Sequence, residues 1–532
     1  MDNNRTILAV VLIVLLWSGY SLFFAPQQQV QQPVVEAVLP TEEQTAGTDS
    51  VNTQQSSVSN IDLSLVGAEE TTYTVETDLF DIEFSSFGAS IKSIDLKNYK
   101  QTNDVGSPNY LLFDGNKFDL NTLITTGSDG FSIPSNLNFK LVDQDSENIK
   151  LSETNNKLSF VSQTDNFTII KNYIFDPISY SFDLNIQLIN TSANPISGKI
   201  NVSLITPWNK DEKGEMYTFV GPQSYDGNEL IEDDADDLGT SPKTYRNDIV
   251  WSGYTSKYFI NLLNPNNVYE QIFISSGPNY IENKFSTKQI NLNVGNQYDY
   301  TYSVYYGPKE FELLAIGEHG FENAINYGFF HLLAKPLMVV LKFFYGFLGN
   351  YGFSIILLTL CIKIIFWPLT QKSYKSMKGM QKLQPEMKRM REKFGSDKQR
   401  LNQEMMSFYK ENKVNPLGGC LPMLIQIPVF FALYRVLLGS IELRHAPFML
   451  WITDLSAKDP YYVTPLIMGV TMFIQQKMTP TNMDPTQAKI MLMMPVVFTF
   501  MFLNFPAGLV VYWLINNLLT ILQQYLIKRQ PD

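Results

Sequence analysis

One lysine of this chain lies inside an apolar segment that is long enough to cross a membrane. Lys363 is part of the run from Tyr351 to Thr370, among isoleucine, leucine, phenylalanine and cysteine. An ionisable side chain inside a span costs about 2.5–3.5 kcal/mol on insertion scales, so it predicts a functional site. The alternative is a lysine that reaches the interface with its long side chain, because the span ends about seven residues, or roughly 10 Å, further on.

Other chemistry has little support in the sequence. The two cysteines, Cys361 and Cys420, lie in or beside apolar runs, and the three histidines, His319, His331 and His445, are far apart. Neither a zinc-binding pattern nor a P-loop is present, and the spans lack a Ser/His or paired-Asp arrangement. The sequence therefore predicts neither an enzyme nor a metal or cofactor site.

The chain has two unlike halves. The net charge of −12 comes mostly from the first 320 residues, whereas the last 200 are rich in Leu, Ile, Phe and Met. Residues 6–24 form an apolar run of 19 residues without an A-x-A cleavage pattern. This predicts a retained N-terminal anchor over residues 1–25, with cleavage as the alternative. Residues 26–60, rich in Gln, Val, Thr and Ser, are typical of a linker.

Residues 61–320 carry short alternating segments separated by Asn, Asp, Gly and Ser. The clearest segments run from Phe167 to Phe175, from Tyr180 to Ile189 and from Tyr298 to Tyr306. A period of two with aromatic and β-branched residues predicts strands, and many such strands predict a large, acidic, all-β sandwich.

Residues 321–348 are apolar but interrupted by Lys335, Pro336 and Lys342. This mixture favours an amphipathic helix at the membrane surface; the alternative is the last packed helix of the β-domain. The span with Lys363 follows at 349–370.

Residues 371–415 predict a cytoplasmic helical hairpin. The segment 371–414 holds twelve basic and five acidic residues, a net charge of +7, which the positive-inside rule assigns to the cytoplasm. Pro385 kinks the first helix or delays its regular start, and Ser396 to Gln399 matches a capping box for the second. Apolar residues at spacings of three and four include four methionines, which form either a hairpin seam or an adaptable binding surface: Met377, Met380, Met387 and Met390.

Four more spans are predicted at 416–440, 461–478, 490–505 and 507–527. Residues 441–460 form an external loop, 479–489 a cytoplasmic loop, and 528–532 a cytoplasmic tail. Alternation through these spans puts both chain termini inside and the β-domain outside. Short spans thin the bilayer. Polar side chains within them, namely Lys363, Thr359, Gln426 and Asn517, should face a wet cavity rather than lipid.

Several motifs resemble the YidC/Oxa/Alb family of membrane protein insertases, in the long form of Gram-negative bacteria. They are Gly352-Phe-Ser, Asn415-Pro-Leu-Gly-Gly-Cys420, Gln426-Ile-Pro-Val-Phe430, Met468-Gly-Val-Thr-Met-Phe473 and Phe505-Pro-Ala-Gly-Leu-Val510. The resemblance covers the whole chain, because an N-terminal anchor followed by a large β-domain also matches the long form. It implies a polytopic α-helical protein of six spans, with a five-helix core and a polar groove open to the cytoplasm. It also implies a periplasmic β-supersandwich.

The resemblance further implies that Lys363 is the positive residue of that groove, and that Thr359, Phe430, Met501 and Trp513 line it. The family more often has arginine at this position, and lysine keeps the charge without the planar fork that binds a carboxylate through two hydrogen bonds. The implied partners are nascent membrane proteins, the Sec translocon, the ribosome or signal recognition particle pathway, and the lipid bilayer. Sequence-specific nucleic-acid binding is not implied. The short tail after Lys528 leaves any ribosome contact to the hairpin.

The rival class is a transporter or channel with an external substrate-binding domain. Transporters commonly contain inverted repeats, and this sequence contains no visible repeat, while five core spans do not divide into equal halves. The sequence alone leaves this alternative open.

Overall fold

The computed structural model describes residues 69–142, 146–152, 155–209, 218–246, 248–317, 319–394, 397–412, 421–479 and 485–529. The predicted anchor and linker lie outside these ranges, as does the motif that ends at Cys420. Ser59–Asp532 forms one compact unit.

The N-terminal part of this unit is all β. Its strands are β1 Thr72–Glu76, β2 Phe80–Ser85, β3 Ser90–Lys100, β4 Asn109–Asp114, β5 Ile124–Ser128, β6 Lys140–Val142, β7 Asn148–Lys150, β8 Lys157–Gln163, β9 Phe167–Phe175, β10 Ser181–Asn190, β11 Ile196–Pro207, β12 Gly221–Tyr225, β13 Leu230–Glu232, β14 Lys243–Tyr245, β15 Trp251–Thr255, β16 Phe259–Pro265, β17 Tyr269–Ser276, β18 Tyr280–Thr287, β19 Ile290–Leu292 and β20 Gln297–Pro308. A short helix, α1, spans Gly115–Phe118.

The strands form a sandwich, as the alternating sequence predicts. A nine-stranded sheet has the order β13-β12-β15-β16-β20-β10-β9-β8-β6. It packs on a five-stranded sheet through Phe84 and Tyr173, whose ring centroids are 4.8 Å apart. It also packs on a six-stranded sheet through Phe285 and Tyr302, at 6.1 Å. Because inward side chains alternate along each strand, one continuous apolar core fills the space between the sheets.

The C-terminal part is helical. Its helices are α2 Phe311–Leu314, α3 His331–Leu348, α4 Tyr351–Lys382, α5 Gln384–Phe394, α6 Lys398–Glu411, α7 Leu421–Gly439, α8 Val463–Met478, α9 Pro485–Phe502 and α10 Ala507–Arg529. The 3₁₀ turns are Phe321–Ala324, Gly328–Phe330 and Ile441–Leu443.

Local signals explain several helix ends. Asn350 accepts a hydrogen bond from the N–H of Phe353 and starts α4. That helix does not stop at residue 370 but continues to Lys382, so the predicted span and the start of the predicted hairpin form one continuous helix. Pro385 lies in the first turn of α5, where the missing N–H costs nothing, so it delays the helix start rather than kinking it.

The start of α6 differs by one residue from the predicted capping box. Its N-cap is Asp397, whose Oδ1 accepts from the N–H of Arg400 at 3.0 Å. Aspartate caps a helix as well as serine does, so the capping principle holds with a shifted residue.

Within the described residues, three helical segments are long and apolar enough to cross a membrane by length and composition: Gly328–Leu348, Tyr351–Lys382 and Ala507–Arg529. Gln426–Gly439 and Ile490–Phe502 are shorter apolar helices. At 1.5 Å per residue, the 16 residues of α8 extend about 24 Å, which is less than the roughly 30 Å of a hydrocarbon core. Helix α9, which contains most of the predicted short span 490–505, has 18 residues and extends about 27 Å.

The segment between α7 and α8 attaches the helices to the sandwich. Arg444 Nη2 donates to the carbonyl oxygens of Lys100, at 2.6 Å, and Gln101, at 3.1 Å. Its guanidinium lies 5.2 Å from the ring centroid of Tyr110 and 5.5 Å from that of Phe259. Hydrogen bonds and cation–π contacts therefore hold the end of α7 against the β3–β4 edge of the sandwich.

A second attachment is ionic. Lys342, on α3, lies 2.7 Å from Glu442 Oε1 and 3.2 Å from Glu310 Oε1, and it also contacts the carboxylate of Glu312. Glu310 and Glu312 follow the last strand of the sandwich, and Glu442 follows α7. One ammonium group thus joins three separate parts of the fold.

We expect replacement of Asp459 by alanine to destabilise the α7–α8 segment by about 2 kcal/mol or more. Asp459 is buried and accepts four hydrogen bonds: Oδ1 from Trp451 Nε1 and the N–H of Tyr461, and Oδ2 from the N–H and hydroxyl of Thr464. The carboxylate thereby orients the indole and satisfies an N–H at the start of α8.

Although burial alone would raise the pKa of Asp459, the hydrogen bonds from Thr464, Tyr461 and Trp451 outweigh it and lower that pKa. The stabilisation should therefore be present above about pH 4 and be lost as pH falls through the lower folded-state pKa. Hydrogen exchange of residues 451–464 between pH 3 and 7 measures this. Asp454→Asn, in the same segment, is the control and should keep the acid sensitivity. Equal acid sensitivity of Asp459→Asn and the unmodified protein would contradict the prediction.

Candidate functional site

Helix α10 carries a polar stripe on an otherwise apolar surface. Its members recur at spacings of three and four residues and are all buried: Asn516, Asn517, Thr520, Gln523 and Gln524. The stripe faces α4 and α8, the two helices against which α10 packs most extensively. Buried polar groups are stable only when they find partners, so the stripe determines which side chains must meet it.

Lys363 is one of those partners. Its Nζ donates to Thr520 Oγ1 at 2.8 Å, and Thr520 in turn donates to the carbonyl oxygen of Asn516 at 2.7 Å. Lys363 is half-buried. Among the residues that the structure describes, the ammonium group has this hydroxyl partner and no carboxylate within ion-pair distance. A positive charge is therefore held inside the helix bundle with capacity to attract an anion.

The stripe continues on both sides of this contact. Asn517 Nδ2 lies 3.4 Å from Thr471 Oγ1 of α8. Gln524 Nε2 donates to Tyr374 of α4, at 2.7 Å, and to Thr479 at the end of α8, at 3.0 Å. Within the described residues, Gln523 Nε2 and Gln524 Oε1 are buried without a partner. The bundle interior thus contains buried hydrogen-bonding groups that have no partner in the described part of the chain.

An aromatic cluster lies beside the stripe. Trp513 of α10 contacts Phe430 of α7 at 4.8 Å between ring centroids, and it contacts Phe498 and Phe502 of α9 at 6.1 and 5.2 Å. The indole of Trp513 thus joins α7 to α9 through ring contacts, which are T-shaped with Phe430, stacked with Phe498 and tilted with Phe502. These contacts are apolar and nondirectional compared with hydrogen bonds.

The remaining predicted groove residues have different surroundings. Thr359 is buried and donates to the carbonyl oxygen of Ile355 within its own helix, at 2.6 Å. Gln426 is half-buried and hydrogen-bonded to Tyr512 of α10. Met501 is 46% exposed on the outer surface of α9 and does not belong to the apolar core of the bundle.

The structure thus divides the predicted groove residues into groups. Two of them take part in the polar stripe: Lys363 is hydrogen-bonded to Thr520, and Asn517 is hydrogen-bonded to Thr471. Phe430 and Trp513 belong to the aromatic cluster beside it. The site therefore has a polar layer and an aromatic layer rather than one uniform lining.

The four methionines assigned to the hairpin differ in burial. Met377 and Met387 are buried, whereas Met380 and Met390 are half-buried. Tyr409 of α6 donates to the sulfur of Met387 on α5 at 3.8 Å. This contact favours the hairpin seam over the adaptable binding surface for Met387.

Thr520 and Gln524 are site residues that the sequence prediction did not select. The signal that could have identified them is the spacing of Asn516, Thr520, Gln523 and Gln524, which places four polar side chains on one face of an apolar helix. The spacing does not show which helix packs against that face.

The fold and the site define a bundle of apolar helices, several of them long enough to cross a membrane, with a buried polar stripe and an attached large β-sandwich. Two family models match the chain: the YidC periplasmic domain over residues 72–340, and the 60Kd inner membrane protein over residues 343–532.

Curated relatives match along the full length. The membrane protein insertase YidC of Geotalea daltonii is 42% identical over 99% of this chain and 100% of its own length. The protein of the same name from Geobacter sulfurreducens is 43% identical over 99% of this chain and 98% of its own. The chain therefore belongs to the YidC family of membrane protein insertases, which are inner-membrane proteins with a periplasmic domain.

Among solved structures, the chain is similar to an active YidC insertase crystal structure with the first transmembrane domain resolved. The identity is 20% and the TM-score 0.37, over 87% of this chain and 94% of that one. The family assignment, which confirms the resemblance seen in the sequence, depends on the family models and the curated relatives instead.

Proposed function

We propose that this chain inserts nascent membrane proteins into the inner membrane by attracting a polar tail to Lys363 and releasing the apolar segment sideways into lipid. The observation that carries the proposal is the half-buried ammonium group of Lys363, which the polar stripe of α10 holds through Thr520. The insertase activity of the family supplies the reaction class.

The first step is entry of the tail. A substrate segment with a short acidic external tail has to bring carboxylates into a low-dielectric region, which is costly unless a positive charge and hydrogen-bond donors meet them. Lys363 supplies the charge, and the buried Nε2 of Gln523 supplies a free donor within the described part of the chain. The cost of desolvating the tail is lowered at both groups.

The second step is exit of the apolar segment. The aromatic layer of Phe430, Trp513 and Phe502 is the contact that bridges α7 and α9. We propose that the segment leaves between these two helices, past the exposed Met501. The separation exchanges aromatic contacts for contacts with an equally apolar substrate, so its net cost is small.

Short helices assist both steps. A bilayer that adapts to the roughly 24 Å of α8 is thinner than the usual core, which shortens the path of the polar tail. The proposed topology has six spans, with the β-domain in the periplasm and both chain termini in the cytoplasm.

We propose that α3 lies along the periplasmic surface, although its length and composition would also permit a span. Lys335 lies 4.3 Å from the ring centroid of Phe311, and Lys342, two turns later, contacts Glu310 and Glu312. Both lysines thus contact the end of the β-domain, which supports a helix parallel to that surface.

The basic hairpin of α5 and α6 is the proposed contact for the ribosome or the signal recognition particle pathway. The Sec translocon is a proposed partner that the family implies. Neither contact involves reading a nucleic-acid sequence.

The proposal is tested by changing the charge at position 363. We expect Lys363→Glu to reduce insertion of a single-span substrate with an acidic tail by roughly tenfold or more, because like charges about 4 Å apart repel by about 4 kcal/mol at an effective dielectric constant of about 20. Lys363→Arg should retain most of the activity and Lys363→Ala should be intermediate. Protease protection of the translocated tail in vesicles containing the purified protein measures insertion.

Two controls separate a charge effect from a folding effect. Lys375→Glu makes the same charge change at an exposed position on the same helix, and this variant should insert the substrate as efficiently as the unmodified protein does. A substrate whose acidic tail residues are replaced by asparagine and glutamine should be much less sensitive to Lys363→Glu. Full activity of Lys363→Glu on the acidic substrate would refute the proposed role.

A further inference from the structure

A tight turn in the α7–α8 segment carries two apolar side chains at its tip. The N–H of Ile452 donates to the carbonyl oxygen of Met449 at 3.1 Å, and the N–H of Phe448 donates to that of Ile452 at 2.9 Å. Met449 and Leu450 are therefore the first two residues of a four-residue turn that ends at Ile452, and we call these two residues the tip. Leu450 is 77% exposed, and Met449 is also exposed.

The backbone at Leu450 is unusual for its residue type. Its φ is +54°, in the left-handed region that glycine and asparagine adopt at much lower cost than leucine. The side chain does not belong to the apolar core of the helix bundle. Fold stability thus gives no reason for a leucine here, and an unfavourable conformation retained by the surrounding structure points to a function.

The surrounding structure holds the turn firmly. Phe448 packs against Phe353 of α4 with ring centroids 5.3 Å apart, and it lies directly over Gly352. On the other side of the tip, Trp451 Nε1 donates to Asp459 at 3.0 Å. The two residues that flank the tip are therefore anchored, and Met449 and Leu450 project from a fixed base.

The turn lies between the β-domain and the helices. Asn103 of the β-domain donates to the carbonyl oxygen of Thr453 at 2.7 Å, so the turn lies on the periplasmic side. The turn connects two helices of the membrane bundle. Exposed apolar side chains also occur on α8, at Leu466 and Ile467, and on the neighbouring helix α4, at Phe353, whose ring contacts Phe448.

Aromatic residues beside the turn match a membrane interface. Tyr461 and Tyr462, just before α8, are exposed, and Lys458 Nζ lies 5.9 Å from the ring centroid of Tyr462. Tyrosine and lysine are typical anchors at the level of lipid headgroups. We propose that the tip formed by Met449 and Leu450 inserts into the outer leaflet of the bilayer and fixes the depth of the periplasmic ends of α7 and α8.

The test is a depth measurement with a nitroxide attached at Leu450→Cys. The native cysteines are first removed by Cys361→Ala and Cys420→Ala, and the full chain is reconstituted into vesicles of phosphatidylethanolamine and phosphatidylglycerol. We expect the label to collide with dissolved oxygen readily and with a water-soluble nickel chelate roughly tenfold less often than an aqueous label does, because an apolar group of this size strongly prefers the lipid.

Two labels calibrate the measurement. The aqueous reference is a label at Val268→Cys. Val268 is exposed and follows the end of β16 at Pro265, whereas the start of β16, at Phe259, is the end that contacts Arg444 of the α7–α8 segment. Ile365→Cys, exposed on α4, should behave as a label in lipid. A label at position 450 that collides freely with the nickel chelate would overturn the proposal, and so would one shielded from both reagents, which indicates a protein neighbour such as a second copy.

Substitutions at Leu450 separate membrane contact from folding. Leu450→Asn favours the left-handed backbone and removes the apolar side chain, so the purified protein should remain folded while a label at Met449→Cys moves toward water. Leu450→Met keeps an apolar side chain and should leave that label in lipid. If the Met449 label shows the same depth in both variants, Leu450 does not insert.

Discussion

Replacing Lys171 with methionine should destabilise the β-domain by about 3 kcal/mol or more. The ammonium group is fully buried and donates to the carbonyl oxygens of Gly88, at 2.9 Å, Ala89, at 3.0 Å, and Leu123, at 2.9 Å. A protonated lysine has three donors, and all three are used here. Methionine fills similar space but leaves buried carbonyls without this partner, at about 1–3 kcal/mol each.

The geometry of the acceptors increases the expected effect. Gly88, Ala89 and Leu123 all have positive φ values, of 66°, 42° and 56°. Two of the three are not glycine, so the backbone that presents these carbonyls is itself unfavourable and depends on its contacts. Tyr173 also donates to the carbonyl oxygen of Ala89, at 2.6 Å, so this carbonyl retains a partner in the variant.

The effect should depend on pH with a defined sign. Burial lowers the pKa of Lys171 from 10.5 to about 7. Between about pH 7 and pH 10 the unfolded chain therefore binds more protons than the folded one at this residue, so its contribution to stability rises with pH, by up to about 1.4 kcal/mol per unit. Because methionine does not titrate, Lys171→Met should cost more at pH 9 than at pH 7.

Hydrogen exchange of β2, β3 and β9 in the full chain in detergent measures the local stability at both pH values. Lys150→Met is the control: Lys150 is a surface lysine whose side chain is 73% exposed and 3.4 Å from Glu76, so its loss should cost less than about 1 kcal/mol. Equal exchange in the Lys171→Met variant and the unmodified protein would contradict the prediction.

The second large effect is expected at Lys342. Lys342→Met should weaken the attachment of the β-domain to the helices by about 2–3 kcal/mol, because it leaves Glu310, Glu312 and Glu442 close together without a positive charge. Loss of one partner from a buried ion pair costs about 3–5 kcal/mol, and the lower figure here allows for the 21% exposure of Lys342.

The measurement is hydrogen exchange of the segment Ile441–Leu443 and of α2, which should accelerate while the sandwich core stays protected. Lys335→Met is the control, since Lys335 is exposed on the same helix and contacts a ring, for which about 1 kcal/mol or less is expected. Adding Glu442→Gln to Lys342→Met should restore part of the protection, because it removes one of the repelling charges. Absence of any rescue would show that packing, not charge, explains the loss.

Features determined by short-range patterning were predictable. The alternation from Phe167 to Phe175 coincides with β9, and the runs near Tyr180 and Tyr298 become β10 and β20, because a strand buries every second side chain. Pro385 left two outcomes open, a kinked helix or a delayed start, and the structure has the delayed start at α5. The predicted end of the span at residue 370 is not a helix end, since the backbone hydrogen bonds of α4 continue to Lys382 although the side chains there are polar.

Residue types and spacing alone establish that Lys363 is costly inside a span and that its surroundings must be polar. Motifs spread over the helical part likewise show a resemblance to the family, which the family models and the curated relatives confirm. The folded chain was needed to show that Thr520, 157 residues further along, is the hydrogen-bond partner of Lys363. It was also needed to show that Met501 faces outward while Trp513 joins α7 to α9. Helix periodicity specifies which side chains share a face, whereas the packing of helices distant in sequence specifies what that face meets.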